Sequence, residues 1–346
     1  MTSTHLSGGL ALDKDYAFPS CPDDPEMRES TSIWLIEDNG AFAFPRCGVE
    51  AEAKCWDDRM FQANLAFADG RVLIGPGRGA AHVPFGASGK PTIIGAGPIH
   101  FECVEPFKRW SVSFDGDAAD GHVRDQMAQS LDQTKRTPVK FDVALEMVTP
   151  AWVQETDTLD FSKMSAAEIA DAQSMGIGFR FEHLFRANGT LEVDGIARAF
   201  KATGLRIKRQ SARPLAGFRG HCWQSCLFPS GKAFGYIAYP PREDGSVTYN
   251  DGYVFDGSRM ISAKVVDAPW LRRVVPSGDD VSLTLESELG LTRIAGETVI
   301  STFRIGNPDL PGMMHLQQAA VRYTWGEETA FGMIERSDQA ELIAIG

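Results

Sequence analysis

The sequence predicts a mostly β protein of two consecutive antiparallel β domains, each a barrel or sandwich, with one or two short inserted helices. Three observations predict it. Short runs of alternating apolar and polar residues recur along the whole chain, and glycine-bearing turn dipeptides separate them at regular intervals. The length of 346 residues is too great for one small domain and comfortable for two.

The elements follow in order. Residues 31–37 alternate, with Ile33 and Leu35 on one side and Trp34 and Ile36 on the other, and Asp38-Asn39-Gly40 turns the chain into a return strand over 40–49. Residues 61–67 and 71–74 flank Asp69-Gly70. Residues 99–104 and 109–114 flank Glu105-Pro106, and the second strand is expected to end at Asp115-Gly116. Residues 139–148 place Phe141, Val143, Leu145 and Met147 on one face. Residues 179–185 and 190–200 read as strands joined at Asn188-Gly189. The second half continues with strands over 217–228, 233–239, 247–255, 260–266, 281–289, 291–295, 298–304, 317–325 and 330–335. Ser165 and Glu168 form a capping box that opens a helix over 165–174. Residues 122–135 are either a second helix or a charged loop. The implied division is an N-terminal extension over 1–29, a first β domain over 30–205 and a second over 206–346.

Composition narrows the function classes. At 43% hydrophobic and 23% charged residues the chain is ordinary globular protein. Its formal net charge of −12 repels phosphate backbones and anionic lipid, so neither nucleic acid nor a membrane surface is an expected partner. No apolar run reaches the ~18 residues of a membrane helix. The first nine residues lack the basic and apolar regions of a signal peptide, so the cytoplasm is the expected compartment. Six cysteines include no CxxC pair, and Cys222-x-x-x-Cys226 has no second ligand pair after it, so no metal site is expected. Residues 75–82, GPGRGAAH, lack both the Walker and the dinucleotide spacing; they read as a mobile loop over a cavity mouth, and no cofactor is expected.

Several residues carry candidate chemistry. His221 and Trp223 stand at i and i+2 of a strand and share a face, with Cys222 opposite. An imidazole titrating near neutrality beside an aromatic wall suits acid–base work on an apolar molecule. The bland alternative is a core histidine packed on a core tryptophan. His183 shares a face with Phe181 and Phe185, while Glu182 lies opposite with Arg180 and Leu184. Glu335, beside an apolar cavity, would have its pKa raised by desolvation and could donate a proton; otherwise it is an exposed strand end. Tyr253 and Asp251 share a face and could orient a substrate oxygen, although Asp251-Gly252 also reads as a turn. Asp157 and Asp160 read as charges at a helix N-terminus.

Three segments look familiar in combination: HFECVEPFKRWSVSFDG over 100–116, FEHLFRANGTLEVDGIARAF over 181–200 and GFRGHCWQSCLFPSGKAFG over 217–235. With DGYVFDG (251–257) and TAFGMIE (329–335) in order, the chain resembles the lipocalin-like superfamily of carotenoid 1,2-hydratase, attachment-locus lipocalin-like and tocopherol-cyclase-like proteins. The resemblance implies two calycin-like domains with an apolar cavity near their junction. It also implies a cofactor-independent lyase or isomerase, which hydrates, dehydrates, isomerises or cyclises a hydrophobic terpenoid, steroid or aromatic substrate. The alternative is a non-catalytic carrier of an apolar molecule. Catalysis would fall to His221, His183, Glu335 and Glu182, and ligand contact to Trp223, Tyr253, Phe181, Phe185 and Asp251. The chain departs from the family motif around His221: Gly220 stands where an Asp is usual, Cys222 for Ser, Gln224 for Gly and Cys226 for Arg. A homodimer is a reasonable assembly for barrels with exposed edges.

Overall fold

The sequence periodicity becomes strand almost throughout. The computed structural model describes residues 6–155, 162, 164–175, 177–212, 217–307 and 310–346; Asp157, Asp160 and Arg213 lie outside the described residues. Strands β1 (Met27–Glu37), β2 (Phe42–Glu52), β3 (Asp58–Phe67), β4 (Arg71–Ala80), β5 (Ile93–Ala96), β6 (Ile99–Glu105) and β7 (Arg109–His122) lead into a short helix α1 (Val123–Met127). Then come β8 (Arg136–Met147), β9 (Trp152–Glu155), α2 (Ala166–Met175), β10 (Ile177–Val193) and β11 (Ile196–Ala212). These form one antiparallel sheet in the order β4-β3-β2-β1-β11-β10-β8-β7-β6-β5, with β9 on β10; β4 also pairs with β7, so eight of the strands close on themselves.

The second barrel is closed outright. It runs β12 (His221–Leu227), β13 (Ala233–Ala238), β14 (Asn250–Phe255), β15 (Met260–Asp267), then, after the short β16 (Arg273–Val274), β17 (Leu283–Ser287), β18 (Gly290–Arg304), β19 (His315–Trp325) and β20 (Glu328–Asp338). A final β21 (Ala344–Ile345) pairs with β16 outside the barrel. Two antiparallel β domains with two short helices are therefore the observed architecture. No helix among the described residues is long and apolar enough to cross a membrane.

The differences from the sequence reading lie at turns. Asp115-Gly116 does not end β7, which stays bonded to β8 as far as Ala119. Asn188-Gly189 lies inside β10; the hairpin turns instead at Asp194 and Gly195, which both have positive φ. Residues 75–80 are not a loop but the second half of β4, bonded to β3 along its length. Residues 291–304 are a single strand with an irregularity between Thr298 and Ile300. The division expected at 205/206 falls inside β11, which remains paired with β1 and β10 to Ala212.

Three apolar layers result. β8 exposes and buries residues in strict turn, sending Phe141, Val143, Leu145 and Met147 into the first barrel beside Leu35 and Phe44. Cys222, Cys226, Phe234 and Ile334 fill the second barrel. Between the barrels lie Trp34, Ile36, Trp152, Leu184, Trp223 and Tyr253. This third layer explains why β1 is apolar on both faces: one faces its own barrel and the other meets the neighbour. The N-terminal segment is anchored. Asp15 is fully buried, accepts from Arg206 at 2.9 Å and Trp110 Nε1 at 2.9 Å, and pins residues 12–16 to the first barrel. Helix α2 opens on the expected Ser165–Glu168 capping box, and its Asp171 accepts from Arg219 and Arg242 of the second domain.

Candidate active site

β12 and β20 are adjacent antiparallel strands, in a register that sets His221 opposite Ser337 and Trp223 opposite Glu335. Side chains two apart on one face and diagonal across the ladder can touch. His221 Nδ1 lies 2.8 Å from Ser337 Oγ, and its Nε2 lies 3.2 Å from Glu335 Oε1. One strand further, Gln318 faces Glu335 and donates to its other oxygen at 2.5 Å. His221 is thus held at both nitrogens, and Glu335 at both oxygens. Cys222 and Gln224, one residue out of step, point into the second barrel, where Gln224 donates to the Val281 carbonyl and accepts from Tyr236.

The first domain supplies the opposite wall. Trp34 of β1 meets Trp223 edge-on, with ring centroids 4.7 Å apart. Arg46 of β2 lies over the Trp34 ring at 5.6 Å, and Arg180 of β10 over the Trp223 ring at 5.1 Å. Together with His221, Glu335 and Phe218 they enclose a cavity of about 50 Å³ at the junction, which opens into a groove of about 340 Å³. The resemblance implied an apolar cavity. The observed one has an aromatic wall, but Arg28, Arg46, Arg180 and Arg209 also line it.

The two carboxyls beside Trp223 take opposite states. Burial pushes Glu335 up, but donation from His221, the Arg46 charge and the Gln318 amide outweigh it and hold the carboxyl at about 2. Glu335 is therefore an ionised partner of His221, and the upward shift expected from desolvation does not hold. Glu182 accepts from Trp223 Nε1 at 3.1 Å and from Arg180 at 2.5 Å. Its burial dominates those contacts and pushes it up to about 7.

The other sequence candidates fall elsewhere. His183 and Phe181 do share a face, but it is the interior of the first domain, where His183 meets Phe107 and Phe181 edge-on. Phe185 belongs to that domain's core. Burial holds the His183 imidazole down at about 4, and none of the three lines the junction cavity. Tyr253 packs on Trp152 at 5.2 Å in the layer between barrels, and Asp251 caps the Gly252 amide; neither lines the cavity. Sequence reasoning missed Trp34, Arg46, Ser337 and Gln318. The two-sided apolar pattern of residues 33–36 was the available signal for Trp34. The three polar residues carry none, because strand register brings Ser337 and Gln318 to the site and the packing of the two barrels brings Arg46.

Gly220, where the resemblance led one to expect an aspartate, sits on a backbone that favours glycine. Its φ is +115°, and a Cβ there would lie 2.4 Å from the Ser337 carbonyl oxygen. A side chain on this backbone is strained, and the carboxylate beside His221 comes across the sheet, from Glu335.

Fold and site together define a protein of two lipocalin-like β barrels, with a buried histidine–glutamate pair at their junction. The chain belongs to the family described as a domain of unknown function (DUF7064), which matches residues 13–340. No curated protein matches it. Among solved structures it is similar to a putative AttH from Nitrosomonas europaea, with TM-score 0.57, 14% identity and coverage of 97% of this chain and 99% of that one. CghA in complex with Sch210972 gives TM-score 0.55, 10% identity and coverage of 91% and 89%. Kievitone hydratase from Nectria haematococca gives TM-score 0.50, 10% identity and coverage of 98% and 97%. At these identities the likeness is one of fold.

Proposed function

We propose that this chain is a lyase or isomerase that moves protons on a planar, conjugated or polycyclic small molecule through His221, without a cofactor. One observation carries the reading: His221 is clamped between Ser337 and the ionised Glu335 at the wall of a junction cavity. Ser337 is not part of that wall, whereas Glu335 is, so Nε2 is the nitrogen presented to a ligand. The ionised Glu335 only accepts, so in the resting pair Nε2 carries the ring hydrogen. Once a ligand displaces that contact, the tautomer with Nδ1–H donated to Ser337 would free Nε2 to take a proton, the Glu335 charge would support the imidazolium, and the same nitrogen would return the proton to a second carbon or to a leaving hydroxyl. Ser337 fixes the ring through Nδ1. The arginines alter the expected charge of the intermediate. A carbocation would sit against guanidinium groups, whereas an enolate would be stabilised by them. Proton removal next to a carbonyl therefore fits this wall better than protonation of an isolated alkene. Kievitone hydratase, named for adding water to a small molecule, is a precedent on the same fold.

The test is untargeted. Small-molecule extract of the source organism is incubated with wild type and with His221→Gln, and compounds are followed by mass spectrometry. Wild type is expected to convert at least one compound, and His221→Gln to do so about 10²–10⁴-fold more slowly. His183→Gln should match wild type. Equal conversion by wild type and His221→Gln removes His221 from the mechanism, and compounds that bind but return unaltered identify a carrier.

A further inference from the structure

The junction wall presents an arginine without a hydrogen-bonded partner among the described residues, and from this we infer that the ligand is an organic acid whose carboxylate binds Arg46 while its planar conjugated body lies along the adjoining groove. Calling that ligand the substrate rests on the acid–base reading of His221; the binding claim does not.

Charge is the first support. The chain carries a net −12, yet the cavity wall holds four arginines, at 28, 46, 180 and 209, against two glutamates, at 50 and 335. A cationic recess in an anionic protein focuses small anions.

Partnering is the second. Arg28 is paired with Glu50 at 2.9 Å and Glu52 at 3.1 Å, and Arg180 with Glu182. Arg46 makes no hydrogen bond or salt bridge among the described residues; it rests on the Trp34 ring, and its charge acts on Glu335. A half-buried guanidinium against an aromatic face is poorly hydrated and ready to take a carboxylate by paired hydrogen bonds. A wall with four arginines, one of them unpaired among the described residues, selects a ligand that brings oxygens.

Shape is the third. Arg46, Phe218, His221 and Glu335 line both the cavity and the groove of about 340 Å³, which continues along Met60 and Phe61 into a second groove of about 580 Å³. A carboxylate on Arg46 would leave the rest of the molecule over His221 and along that apolar edge.

Two probes of one shape test the inference: 2-naphthoate and the uncharged 2-naphthamide, titrated against tryptophan fluorescence, since Trp34 and Trp223 line the cavity. Wild type is expected to bind the acid about tenfold or more tightly than the amide. Arg46→Gln should abolish that preference, and Arg46→Lys should keep most of it. Equal binding of the two probes, no binding of either, or an unchanged preference in Arg46→Gln overturns the anion anchor. These readings need no turnover, so the anchor can fail while His221-dependent conversion in the extract stands, and the reverse.

Discussion

His221 and His183 are both buried, and both sit on strands beside aromatic rings, yet their surroundings give them opposite uses. His221 is held by a hydroxyl and an ionised carboxylate at a cavity. His183 faces the inside of the first domain, where burial, joined by the Arg206 charge, keeps it neutral down to about 4 against the pull of Asp15. The glutamates repeat the contrast on either side of Trp223: Glu335 is held at about 2 and Glu182 rises to about 7. Residue type and burial are shared within each pair. What differs is the supply of donors and charges that the strand register delivers, so the site is defined by pairing rather than by any one side chain.

The most disruptive way to break the comparison is to place an aspartate at position 220. Gly220→Asp would place a side chain at φ +115°, with its Cβ 2.4 Å from the Ser337 carbonyl. Strand β20 has to move, and Ser337 and Glu335 move with it, while His183 is untouched. The expected cost is about 3 kcal/mol of stability, measured by urea unfolding, with loss of His221-dependent conversion. Wild-type stability in this variant would show that the backbone at 220 is not constrained.

How much of this was legible follows from the same contrast. Alternation along one strand correctly grouped His221 with Trp223, and His183 with Phe181. It could not say which face would be the inside of a barrel and which would meet the other domain. Glu335 was found as a residue, but its partner lies 114 positions away, a relation set by the pairing of β12 with β20. Its charge state was misjudged for the same reason, since desolvation is readable as burial whereas the donors from His221, Gln318 and Arg46 are not. The turn errors at Asp115-Gly116 and Asn188-Gly189 were local signals overridden by long strands whose partners continue past them.

The pH dependence of folding sharpens the comparison next. His183 is depressed from 6.5 to about 4, so its stabilising contribution is complete above pH 6.5 and is lost as pH falls toward 4. Glu182 is raised from 4.5 to about 7, so its contribution is complete below pH 4.5 and is lost as pH rises through 7. Each full shift corresponds to on the order of 3 kcal/mol. In urea unfolding between pH 4 and 8, His183→Gln should reduce the acid-side loss and Glu182→Gln the alkaline-side loss. Curves parallel to wild type would mean that these groups do not titrate across folding.

The smallest effect isolates one hydrogen bond. Trp223→Phe keeps an aromatic ring against Trp34 but removes the indole N–H that Glu182 accepts at 3.1 Å. That donor favours the charged carboxylate, so its loss should raise Glu182 further above 7. Below pH 4.5 the acid is neutral in both folded and unfolded chains, and the variant should lose only about 1 kcal/mol, from the smaller ring and a neutral hydrogen bond. Above pH 7 the carboxylate must ionise with one donor fewer, and the loss should grow to about 2 kcal/mol. The difference in unfolding free energy between wild type and variant should therefore widen with pH. A difference that stays constant from pH 4.5 to 8 would show that burial and the neighbouring charges set the state of Glu182 without Trp223, and that Trp223 serves the junction only as an aromatic wall.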